Sequence, residues 1–140
     1  MSSKTTQLIL SAVLLIVGGY IYVAYRTDKL AMFRWFSTLH LDGLVYSIRG
    51  RGAIVKLPAF IKYCLPNGLW ITSYLLAVNA LVVENKLIWV LSLPVIAILF
   101  EFLQVWHIIP GTFDFGDLIC LFVPVLIYFL YYSLHNEKST

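Results

Sequence analysis

Long apolar runs separated by short polar stretches organise this chain. Four runs cover residues 7–25, 65–83, 87–106 and 114–132. A helix crossing a bilayer needs about 20 mainly apolar residues, with a working range of about 17–25. The runs are continuous and do not alternate apolar with polar residues, so they predict helices rather than the strands of a closed barrel. The first, Gln7 to Tyr25, contains no acidic or basic residue. The second carries Ser73 and Asn79 as inner polar groups and is shortened by Pro66-Asn67-Gly68. The third is clean until Glu101 and Gln104, and Pro94 and Pro124 fall inside the third and fourth, where helices can kink. The pattern predicts an all-α membrane protein, a single domain over residues 1–140 built as a four-transmembrane-helix bundle.

Residues 26–64 form the long connection between the first two predicted spans. Its segment Leu30 to Phe36 mixes apolar residues with Arg34 and is expected to extend the first helix or to lie in the interface, anchored by Trp35. Asp42-Gly43 is a turn signal, and Leu44 to Ile48 and Ala53 to Lys56 flank Arg49-Gly50-Arg51-Gly52 as a short hairpin would. Pro58 to Cys64 has the pattern of a short amphipathic helix, with Asn67 placed to cap the helix that follows. Arg26, Lys29 and Arg34 follow the first run in place of a small-residue cleavage site, so that run is expected to be a retained anchor.

Composition agrees with this pattern: 61% of residues are hydrophobic and 12% charged, where soluble domains average about 25% charged. A soluble enzyme, a nucleic-acid-binding module and a disordered adaptor are poor fits. Seven of the ten basic residues fall within positions 26–64, so the positive-inside rule places that connection in the cytoplasm and both termini outside. The third connection, His107 to Phe113, then also faces the cytoplasm. Arg26, Lys29, Arg49, Arg51 and Lys62 are the candidate counter-charges and contacts for anionic lipid headgroups. The expected partners are the bilayer, those headgroups, and a second copy or a membrane partner protein; no nucleic acid is expected. Cys64 and Cys120 are isolated and read as small apolar helix residues.

The chemistry-bearing segment is Glu101-x-x-Gln104 followed by Asp114-x-x-Asp117. Each pair is three residues apart, so each shares one helix face. A short connection makes the two helices antiparallel neighbours, and the four side chains can converge near the cytoplasmic interface. Acidic groups in a span face a bundle interior, a partner or a pathway, although Asp114 at a helix start also suits a cap. Three close carboxylates repel unless neutralised. Basic residues such as Arg26 or Lys62, shared protons, or Mg²⁺ would each do so. No cofactor is otherwise implied, and no nucleophile–base pair points to an enzyme.

Glu101-x-x-Gln104 with Thr112-Phe113-Asp114-x-x-Asp117 resembles the VanZ-like family of small bacterial membrane proteins. The resemblance covers about 30 residues and carries over Glu101, Gln104, Asp114 and Asp117. The family's loop arginine has no counterpart between Gln104 and Asp114, and Leu121 stands where the family has Asn. The resemblance implies a multi-pass protein of the bacterial inner membrane with an envelope- or lipid-linked role. The residues also admit an oligomeric pore or ion pathway, or a docking partner for another membrane protein.

Overall fold

A computed structural model describes residues 3–27, 31–52, 55–84, 86–109 and 113–136. These form seven helices and no strand: α1 Ser3–Tyr25, α2 Ala31–Thr38, α3 Asp42–Gly52, α4 Ala59–Tyr63, α5 Leu65–Leu81, α6 Lys86–Val105 and α7 Phe115–Asn136. Three helices, α1, α6 and the Phe115–Tyr132 part of α7, are long and apolar enough to cross a membrane. α5 has 17 residues, about 25 Å at 1.5 Å per residue, which is at the lower bound for a span.

The shortest of these four is the central one. α5 packs against α1, α6 and α7. Its buried residues fall on two opposite faces, Pro66, Ser73 and Ala80 on one and Ile71, Leu75 and Val78 on the other, as expected for an element packed between neighbours. Ile71, Leu75 and Val78 join Val90 of α6 and Leu121 of α7 in the core. Outward-facing Ile16, Ile88, Leu99 and Leu126 are each more than half exposed, so all three candidate spans present large apolar side chains at the surface. α6 and α7 continue as helices through Pro94 and Pro124.

α1 and α5 run antiparallel and close through small residues. The Ser11 hydroxyl donates to the Ser73 carbonyl and the Ser73 hydroxyl to the Ser11 carbonyl, each at 2.8 Å. A Cβ on Gly18 would come within 2.8 Å of the Trp70 indole, so only glycine fits there. Near one end, the Asn79 amide donates to Gln7 at 3.0 Å and accepts from the Lys86 ammonium, joining α1, α5 and the start of α6. Polar side chains thus bond across the packed interface in the manner of membrane helices.

The long connection departs from expectation in two places. Instead of a hairpin, residues 42–52 form α3. Asp42 lies in its first turn and Arg49 and Arg51 in its last, charges that suit the helix dipole. His40, with φ 56°, makes the turn between α2 and α3. The glycines serve packing: a Cβ on Gly52 would sit 2.8 Å from that of Ala24, so α3 rests directly on the end of α1. Secondly, Asn67 does not cap α5. Pro66 is tolerated in the first turn because no N–H is needed there, so α5 begins at Leu65, and Cys64 holds the cap position without a side-chain hydrogen bond. The expected short helix before it is present as the five residues of α4.

Candidate functional site

The N-terminus of α7 positions two carboxylates differently. Asp114 is the cap: its Oδ1 accepts the Gly116 N–H at 2.8 Å, and its carbonyl accepts the Asp117 N–H at 3.0 Å. It stays exposed. Asp117 lies on the inward face and is only 5% exposed. Two glycines bring it there. A Cβ on Gly116 would lie 2.7 Å from the Cys64 Sγ, and one on Gly68 would lie 3.2 Å from the Cys120 carbonyl. The start of α7 therefore sits hard against the α4–α5 junction, and the Cys64 thiol and Asn67 amide face the Asp117 carboxyl.

The residue that follows α1 supplies the cation. Arg26 Nη2 stands 3.8 Å from Asp117 Oδ2 and donates to the Tyr63 carbonyl at 2.9 Å. The Tyr22 and Tyr63 rings lie 5.4 and 5.3 Å from its guanidinium carbon, adding cation–π attraction. Arg49 of α3 donates to the Arg26 carbonyl at 3.0 Å and lies over Phe33, so it holds the end of α1 in place.

α6 brings Glu101, 8% exposed, which faces the Asp114 backbone N–H, the Asp117 charge and, more weakly, Arg26. Its Oε2 and Asp117 Oδ1 are buried and have no hydrogen-bond partner among the described residues. Burial is the main cause that pushes the Cys64 thiol up to about 11, with Asp117 and Asp114 adding to it, so this sulfur stays protonated at neutral pH.

Of the residues singled out from sequence, the structure brings Glu101, Asp117 and Arg26 together, with Asp114 as the adjacent cap. Gln104 is half-buried a turn beyond Glu101, where its carbonyl accepts the His107 N–H at 3.0 Å. Lys62 lies over the Tyr25 ring at 5.7 Å, and Arg51 is exposed at the end of α3. Lys29 and Thr112 fall outside the described residues. Asn67 and Cys64 joined the site from positions read as cap and filler. Gly68 and Gly116 were the available signal, since small residues mark where helices approach most closely. Among the described residues, no three His, Cys, Asp or Glu side chains are grouped to hold a metal ion.

The chain matches no family model, no curated protein and no solved structure. Fold and site together define a helical protein with three helices long and apolar enough to cross a membrane and two buried carboxyls, each with one oxygen lacking a hydrogen-bond partner among the described residues.

Proposed function

We propose that this chain is a VanZ-like, multi-pass protein of the bacterial inner membrane whose acidic cluster serves an envelope- or lipid-linked role. In this reading α1, α5, α6 and α7 all span, the basic connection and the cluster lie on the cytoplasmic side, and both termini lie outside. One observation carries the reading: Glu101 and Asp117 are both buried, the Arg26 guanidinium stands 3.8 Å from Asp117, and one oxygen of each carboxyl has no hydrogen-bond partner among the described residues. A buried polar group left open in this way is costly, and it fits a cluster that completes itself on a ligand. The Asn79 amide, by contrast, is engaged on both sides by Gln7 and Lys86.

Native mass spectrometry of the detergent-purified chain tests the reading. Retained lipid is expected in the wild type and reduced in Glu101→Gln and in Asp117→Asn, with helicity and monodispersity preserved. Equal lipid retention in all three folded proteins would show the cluster to be incidental.

A further inference from the structure

A groove of about 240 Å³ runs down the side of the bundle from this cluster. Asn67, Glu101 and the Trp70 indole, whose N–H has no partner among the described residues, supply its polar groups, and Ile71, Leu93, Ala97 and Leu121 are among its apolar walls. Leu93 lies eight residues before Glu101 in α6, so the apolar part is about 12 Å long at 1.5 Å per residue. Phe100, 50% exposed, stands at the rim. The groove therefore opens sideways, towards the acyl chains that surround a spanning helix.

The shape fits one chain, and the charge selects its head. Glu101 lines the groove, is more than nine-tenths buried, and its Oε2 has no partner among the described residues. Asp117 adds a second carboxyl, and Arg26 is drawn to Asp117 and to the Tyr63 carbonyl. A phosphate or carboxylate head would meet like charge. A hydroxyl would donate one hydrogen bond but bring no charge to two carboxyls that face a single guanidinium. A quaternary ammonium would bring charge without an N–H. A primary ammonium supplies both a positive charge and three donors, and its hydrogen bond to a carboxylate is of the stronger, charge-assisted kind.

We infer that the groove binds a single-chain amphiphile with a primary ammonium head, the head on Glu101 and the chain lying along Ala97, Leu93, Ile71 and Leu121. This rests on the lipid-linked reading above and gives it a ligand class.

The test uses the full chain in phosphatidylcholine nanodiscs, titrated with dodecylamine, dodecanol, dodecanoate and dodecyltrimethylammonium. Dodecylamine is expected to bind one per chain and more tightly than the other three. Glu101→Gln should weaken it by about tenfold or more, the loss expected for a charged hydrogen bond. Ala97→Phe fills the groove without touching an acidic residue and should weaken it as much, with Ala97→Leu as the milder filling variant should Phe disturb the fold. Dodecanol binding as well as dodecylamine, or dodecylamine affinity within roughly twofold of wild type in the folded groove-filling variants, would overturn the inference. Should native lipid retention depend on Glu101 and Asp117 while dodecylamine shows no preference, the ammonium ligand falls and the lipid-linked role stands. Should neither effect appear, both fall.

Discussion

Asp114 and Asp117 stand three positions apart and do different work. The first caps α7 from an exposed position, and the second is buried against Arg26, Asn67 and Cys64. Asp114→Ala should destabilise the folded chain by about 1 kcal/mol, the usual value of a cap, while Asp114→Asn should cost a few tenths at most. Thermal unfolding in detergent distinguishes the two. Cys64, pushed up to about 11, should react with maleimide at pH 7.5 about 100-fold more slowly than an ordinary thiol, because the thiolate is the reacting form. In a Cys120→Ala background its rate should keep rising with pH through the range where an ordinary thiol has levelled off. At this scale, Glu101, Asp114 and Asp117 were conspicuous in the sequence because carboxylates are rare in apolar runs. Asn67 and Cys64 were not, because nothing local distinguishes a cap or a filler from a side chain aimed at a distant carboxylate.

The elements are held together by close approaches, and these make sharper predictions than the apolar core does. Alanine is ordinarily better than glycine inside a helix by about 1 kcal/mol. Gly116→Ala should nonetheless destabilise, since its Cβ would fall 2.7 Å from the Cys64 Sγ. Cys64→Ala removes that sulfur, so the double variant should recover much of the loss, with a coupling energy of about 1–3 kcal/mol. The reciprocal Ser11–Ser73 bonds predict that Ser11→Ala costs about 0.6 kcal/mol and at most about 1.7 kcal/mol, the mean and maximum for hydrogen bonds between membrane helices. All four long helices were legible to within a few residues because length and hydropathy are local properties. α3 was not. The Arg-Gly-Arg-Gly stretch carries turn chemistry by itself, but Gly52 finds Ala24 and Arg49 finds the Arg26 carbonyl, and those partners lie at least 23 residues away in sequence.

For the whole molecule, the charge distribution predicts how the chain sits. Cysteine-scanning accessibility in intact cells should show Ser3 and the Val83–Glu84 turn reacting from outside, and Trp35 and Lys56 only after permeabilisation. Reaction of Val83 from the inside would mean that α5 does not cross. That helix is the informative one, since its 17 residues are short for a span and it packs against all three of the other long helices. By itself the sequence determined that the chain is helical, apolar enough for a membrane, basic in one connection and acidic at one helix pair. Each of these follows from composition and spacing along the chain. Only the tertiary structure decided that α5 is the hub, that Arg26 is the cation brought to Asp117, and that Glu101, with one oxygen unpartnered among the described residues, lines a groove. Those outcomes depend on which small residues let which helices close, a property of pairs far apart in sequence rather than of any single run.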